Sequence, residues 1–252
     1  MAGTAPVARP RRRRNSLNQA VIVEAAFVVT DRDGLGAFTF EALGRELRAH
    51  PTAIYRHFRD KDELLLAMTD ALHQQAQLHG LPVTGDWAAD LRMIARAIHR
   101  AFLAHPQIGQ LVAARTTRRP HEFAAVEHIV GCMRRAGLAD DDAGRCYRVF
   151  ADTVLAWSAM DAALAALDPA VRAADLLAWD VDYRRLPAGG YPHVAALTGR
   201  IPAVDDPANF ELAVDLLVEA VRARAATRGP GASGGPGASG GPGASGEAGL
   251  AT

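Results

Sequence analysis

Apolar positions recur at intervals of three and four over nearly the whole middle of this chain, the spacing of helices that bury one side. The first such stretch, AVIVEAAFVV at 20–29, follows Ser16 and Gln19 at capping-box spacing and stops at Asp33-Gly34. Its β-branched run at 21–23 would also suit a strand. A cap at one end, glycine at the other and a length above ten residues instead predict a helix of about four turns. Thr39 is the next expected N-cap, with Phe38 before it and Leu43 inside it as a hydrophobic staple, and it opens a short helix near 40–48. A third helix starts at His50-Pro51, where the first turn has no partner for an amide hydrogen, and ends about Phe58. Asp60 and Glu63 repeat the capping-box spacing before a long fourth helix, KDELLLAMTDALHQQAQL.

Pro82, Gly85 and Asp86 then mark a boundary. Beyond it, helical spacing runs from Trp87 to about His105, from Glu122 to Arg135, from Asp140 to Leu167 and from Phe210 to Ala226. No strand pair stands out. The segment 168–208, with Trp179, Tyr183 and Tyr191, reads either as short helices or as a loop. The tail repeats GPGASG three times at 229–246 and has nothing with which to bury apolar surface.

Composition changes this picture in two places. With 252 residues, 49% hydrophobic and 22% charged, the chain can bury a sizeable core. No uninterrupted apolar run reaches the roughly 18 residues of a membrane span, and no secretory core precedes the basic N-terminus, so a cytoplasmic protein is expected. The two cysteines, Cys132 and Cys146, are too far apart for a C-x-x-C site and read as buried free thiols. The net charge of zero conceals an uneven distribution: five arginines and no acid at 9–14, acid far downstream at 139–144 and 204–206.

The densest chemistry is HPTAIYRHF, residues 50–58. On a helix, Ile54 and Phe58 share one face while Thr52 and Arg56 lie nearly opposite, with Ala53 and Tyr55 on the flanks. Leu43 and Leu47 of the preceding helix are placed to pack on that apolar pair. Two short helices joined by a tight turn, the second presenting polar groups, make a helix-turn-helix unit that can enter a major groove. Phosphates would find donors at three helix starts, at Thr39, near His50 and at Lys61, the only lysine in the chain.

These residues carry a resemblance. FTFEALGRELRAHPTAIYRHFRDKDELLLAM, residues 38–68, resembles the DNA-binding domain of TetR-family transcriptional repressors, with Tyr55, His57, Phe58 and Lys61 in the family's order and spacing. The resemblance extends over about residues 16–70. It implies that Thr52, Ala53 and Arg56 read bases beside His50 and Pro51 at the start of the recognition helix, while Thr39, Tyr55, His57 and Lys61 hold the DNA backbone. Tyr55 and His57 flank the core face, so packing is the competing role for both, and capping competes for Thr39. Two positions depart from the family pattern. The turn reads Arg48-Ala49-His50 rather than glycine-valine-serine, and Gly44 stands where alanine is commoner. His50 is then expected to cap and Arg48 to take a left-handed backbone.

Residues 81–228 resemble, more loosely, the regulatory domain of the same family, in particular of proteins related to the tetracycline repressor. The cues are AFLAHPQIGQLVAAR, MRRAGLADDDAGR, YPHVAAL and FELAVDLLVEAVRAR. The resemblance implies an all-α fold: an N-terminal three-helix helix-turn-helix DNA-binding domain at 16–80, then a larger helical ligand-binding and dimerisation domain at 81–228. An Arg-rich arm, 1–15, and the tail, 229–252, flank them. It also implies a homodimer on an operator of double-stranded DNA, acting as a repressor released by a small-molecule effector. Phe102, His105, Phe123, Val154, Trp157 and Trp179 are the candidate effector contacts, with core packing the competing role for each. The stripe Phe210, Val214, Leu217, Val221 suits either a dimer interface or an internal core. His121 and His128 share a helical face but lack a third ligand, so no metal and no cofactor are expected. No H-E-x-x-H, G-x-S-x-G or phosphate-binding glycine loop occurs, and no catalytic residue is assigned.

The arginine arm either enters a minor groove or binds phosphates, or it is a solvated tail. If it binds DNA, deleting residues 1–14 weakens duplex binding and flattens the slope of log affinity against log salt by roughly 0.9 for each phosphate that is no longer neutralised. Unchanged affinity across a salt titration would assign the arm to solvent.

Overall fold

A computed structural model of the protein describes residues 17–76 and 80–227, and within them all regular structure is helical. The arginine arm, Ser16 and the GPGASG tail lie outside the described residues. α1 (Gln19–Asp33) is capped by Asn18, whose side chain accepts from Val21 N at 2.9 Å. Gln19 reaches across the domain to the carbonyl of His57, at 2.9 Å.

A 3₁₀ turn (Leu35–Ala37) leads to α2 (Phe40–Leu47), where Thr39 Oγ1 accepts from Ala42 N at 3.1 Å as expected. Phe38 and Leu43, the staple pair, are both buried. α3 is shorter than its sequence pattern suggested, Pro51–Tyr55, because the chain turns at Arg56 and His57 before Phe58 drops into the core. α4 (Lys61–Gln75) is capped by Asp60, which accepts from Glu63 N at 2.8 Å, while Glu63 reaches back to Arg59 N at 2.7 Å. The bond from Glu63 N, followed by the hydrogen bond from the Arg59 guanidinium, holds the Asp60 carboxyl below its ordinary range.

The larger domain comprises α5 (Trp87–Ala104), α6 (Pro106–Val112), α7 (Pro120–Arg135), α8 (Asp140–Ala166), α9 (Pro169–Arg184), α10 (Pro192–Ala196) and α11 (Pro207–Ala226). Sequence periodicity missed α6, which is only two turns long and starts directly after the cap of α5. It resolved 168–208 into α9 and α10 only as an alternative. α8 is the central strut and packs on α5, α6, α7 and α11. By length and composition it is apolar enough to cross a membrane, although Asp152 and Asp161 interrupt its apolar run. Gly109 of α6 permits the close α5–α6 approach, since a Cβ there would meet the Phe102 carbonyl oxygen at 2.8 Å.

Ion pairs tie the outer elements to this core. Arg92–Asp215 at 2.6 Å and Arg96–Glu211 at 2.7 Å fix α11 to α5, and His99 stacks on Phe210 while bonding Asp161 at 2.8 Å. Asp90 is fully buried. Burial raises its carboxyl pKa, but hydrogen bonds from Thr84 and the charge of Arg135, 2.6 Å away, outweigh that and hold it below the ordinary value. Burial also pushes the Cys132 thiol up to about 11, so it is inert at neutral pH; Cys146 is only half-buried.

The helix-turn-helix turn is the strained point. Arg48 ends α2 at φ 52°, ψ 41°, in the left-handed region that favours glycine. Gly44 answers a different demand: a Cβ there would lie 2.8 Å from the Ala49 carbonyl oxygen and 3.3 Å from the Pro51 ring. Thus Gly44→Ala is expected to lower stability by roughly 1–2 kcal/mol despite alanine's better helix propensity. Arg48→Gly should raise it by about 0.5 kcal/mol, strain relief offsetting the added chain entropy. Urea midpoints at constant m-value would check both signs.

Candidate nucleic-acid interface

Ile54 and Phe58 are fully buried, with Leu43 beside them in the same core, and this burial sets the roll of α3. Thr52 and Arg56 consequently face solvent, with Ala53 and Pro51 half-exposed between them. His50 caps the helix: its Nδ1 accepts from Thr52 N at 3.3 Å and from the Thr52 hydroxyl at 2.8 Å. A ring nitrogen accepting these bonds is unprotonated, which leaves Nε2–H as an outward donor at the helix start. A histidine here takes over the capping role that serine usually fills.

The flanking groups combine both of their competing roles. Tyr55 packs edge-on against Phe40, ring centroids 4.6 Å apart, yet remains 55% exposed. Its ring braces α3 on α2 while its hydroxyl stays accessible. The His57 ring is half-buried, and its backbone carbonyl is the one held by Gln19. Lys61 projects its ammonium over the Phe38 ring at 4.7 Å, and Thr39 keeps a free hydroxyl hydrogen after capping. Thr39, the His50–Arg56 segment and Lys61 thus belong to one compact unit in which apolar contacts orient the polar groups.

The six candidate effector contacts do not converge. Phe102 and Val154 are buried in the core. His105 stands at the domain junction, its Nδ1 2.6 Å from Asp31 and its ring 4.1 Å from that of Phe27 on α1. Trp157 faces a shallow groove along α8, and Trp179 stacks on Tyr183 between α9 and α10. Only Phe123 lines the cavity of about 330 Å³ enclosed by α4, α5, α7, α8 and the loop after α6. His73, Arg115, Glu122 and Tyr147 on that wall were not singled out from the sequence, where their spacings carry no pattern. His121 bonds Asp70 at 2.8 Å, and no cluster of three metal-ligating side chains occurs among the described residues. The stripe Phe210, Val214, Val221 turns inward, with Leu217 half-buried, and leaves Leu212 and Leu216 exposed on the other side of α11.

Such a unit, joined through α4 to a cavity-bearing helical domain, defines a helix-turn-helix protein with a larger appended helical domain. Residues 22–68 match the family model of bacterial regulatory proteins of the tetR family, and residues 79–225 that of the tetracyclin repressor-like C-terminal domain. The chain belongs to the TetR family. It is 32% identical over 149 residues to the HTH-type transcriptional repressor Rv1353c of Mycobacterium tuberculosis, and this match spans 57% of each chain. Among solved structures it resembles apo ActR from Streptomyces coelicolor, with 26% identity and a TM-score of 0.72 over 84% of this chain and 97% of ActR. ActR in complex with actinorhodin gives 26% identity and a TM-score of 0.71, over 83% and 98%.

Two substitutions separate base reading from backbone holding. Arg56→Ala is expected to cost about 1–3 kcal/mol on a preferred duplex and to relax its sequence preference. Lys61→Ala should weaken all duplexes alike and reduce the salt slope by about 1. Fluorescence anisotropy on specific and scrambled duplexes at several salt concentrations distinguishes the two patterns.

Proposed function

We propose that this protein is a transcriptional repressor that binds a palindromic operator as a homodimer and leaves it when a small molecule occupies the larger domain. It acts by binding and not by catalysis. The observation that carries this reading is one ion pair. The loop after α6 both lines the 330 Å³ cavity, through Ala113 to Thr116, and holds the DNA-binding domain, through Arg115 Nη2, which donates to both Asp62 carboxylate oxygens at 2.8 and 2.9 Å. Asp62 is the neighbour of Lys61. A ligand that displaces this loop therefore pulls on the start of α4, and by linkage the operator affinity falls by the ligand's preference for the displaced form. Arg118, in the same loop, sits at φ 56° and is held by Glu122, which accepts from its amide at 2.6 Å and from Thr117 at 2.9 Å. A strained segment fastened by a cavity-wall carboxylate is suited to having two positions.

The dimer reading rests on exposed apolar surface. Val149 and Met160 of α8 and Leu212 and Leu216 of α11 are open to solvent, and Val149 also lines a groove of about 530 Å³ between the two helices. Pairing two copies there would set the recognition helices against successive major grooves, about 34–36 Å apart. The bound actinorhodin of ActR supports a small-molecule effector.

Selection from a randomised duplex pool, followed by a compound screen against the selected operator, tests the proposal. Wild type should enrich a palindrome and release it on adding at least one compound. Asp62→Asn should keep operator affinity within about threefold but shrink that compound's effect by about fivefold or more, the range of ordinary coupling energies. No enriched duplex would overturn the DNA-binding reading, and equal release by both proteins would overturn the coupling route.

A further inference from the structure

The wall of the α4–α8 cavity is unusual in which of its polar groups are already satisfied. Its two cations are paired within the chain, Arg115 with Asp62 and Arg148 with Asp152 at 2.6 Å. Its remaining carboxylate, Glu122, accepts from Thr117 and Arg118. A charged ligand finds both cations already neutralised, and because these pairs are largely solvent-exposed it gains little there beyond what water offers, while its buried end loses hydration.

Two wall groups are different. His73 bonds the Thr69 carbonyl through Nδ1 at 3.0 Å. A carbonyl can only accept, so Nδ1 carries the hydrogen and Nε2 offers a lone pair. Burial keeps this imidazole neutral by lowering its pKa below the ordinary 6.5, against the raising effect of the Thr69 carbonyl bond and of Glu122 and Asp70; the nearby His121 adds to the lowering. Tyr147, on α8, is half-buried, and burial holds its hydroxyl in the protonated, donating form. Apolar surface supplies the rest: Ile98, Ala125, Ile129 and Leu155, with Phe123 59% exposed on the same wall.

Resting on the reading of this cavity as the effector site, we infer that it takes an uncharged, hydroxyl-bearing aromatic molecule of two or three fused rings. Its hydroxyl donates to His73 Nε2, one of its oxygens accepts from Tyr147, and its ring face covers Phe123. The volume of about 330 Å³ fits a molecule of that size.

Calorimetric titration of the full-length protein at neutral pH with 2-naphthol, 2-methoxynaphthalene and 2-naphthoate tests this. All three present the same ring system; the ether can accept but not donate, and the carboxylate is charged. The expected order is 2-naphthol at least about tenfold tighter than either of the others, one hydrogen bond's worth of discrimination. His73→Phe should bring 2-naphthol down to the level of the ether, and His73→Gln, which keeps an acceptor, should preserve part of the preference. Tyr147→Phe should weaken naphthol and ether alike. The wild-type ranking decides the chemistry even if His73→Phe does not fold. Equal affinities, or tighter naphthoate, overturn the ligand chemistry while leaving the cavity as a binding site. Failure of all three to bind overturns the cavity reading and this inference with it.

Discussion

The burial of Ile54 and Phe58 beside Leu43 is the contact on which the DNA-facing side depends. α3 has only five residues, too few to be stable alone, so its position comes from these side chains and not from its own hydrogen bonds. Once they are buried, the helical period leaves Thr52 and Arg56 no direction but outward. Tyr55 against Phe40 and Gln19 on the His57 carbonyl then remove the remaining freedom of roll and tilt. The polar face is thus a by-product of an apolar anchor, and its outward side chains make no contribution to the buried contacts.

The turn before α3 shows how a local rule can be broken and still satisfied. Glycine is the usual solution for a left-handed residue, yet Arg48 occupies that position here. The glycine of this segment lies four residues earlier, where the chain doubles back so closely that any Cβ would strike the Ala49 carbonyl. Proline at 51 and histidine at 50 complete the exchange: the ring needs the space that Gly44 leaves, and the imidazole caps the amide that serine would otherwise cap. The two departures from the family pattern are therefore parts of one local solution.

How much was legible follows from what kind of physics placed each group. Caps, periodicity and the Tyr55–Lys61 spacing act within a few residues, and so Thr39, His50, α1–α5 and the outward pair Thr52 and Arg56 could be read directly. α6 was missed because two turns give too few apolar repeats to register. The cavity was missed almost entirely, since His73, Arg115, Phe123 and Tyr147 come from four separate segments and meet only through tertiary packing. His105 and Trp157 are large side chains, but size marks core and junction residues as readily as ligand contacts. The α11 stripe left its two readings open for a related reason: periodicity gives a helix an apolar face but not the neighbour that covers it, and packing on α5 and α8 decides for the core.

The junction between the two halves explains why α4 can serve both. On one side it is buried through Leu64, Met68 and Leu72; on the other it offers Asp62, Asp70 and His73 to the larger domain. Asp62 and Asp70 lie about two turns apart and bind Arg115 and His121, the flanks of the loop that carries the strained Arg118. With α1 held by Asp31–His105 and the Glu122 amide also donating to Asp70 at 3.3 Å, the helix-turn-helix domain is fastened to the larger domain by charged and hydrogen-bonded contacts. Apolar contacts tolerate small slips, whereas such pairs lose their bonds within about an ångström, so a shift of the loop after α6 is felt at Lys61 as a change of position and not absorbed as a looser fit. In the proposed release, a helix with one face in each domain is the path by which an occupied cavity would reach a recognition helix it never touches.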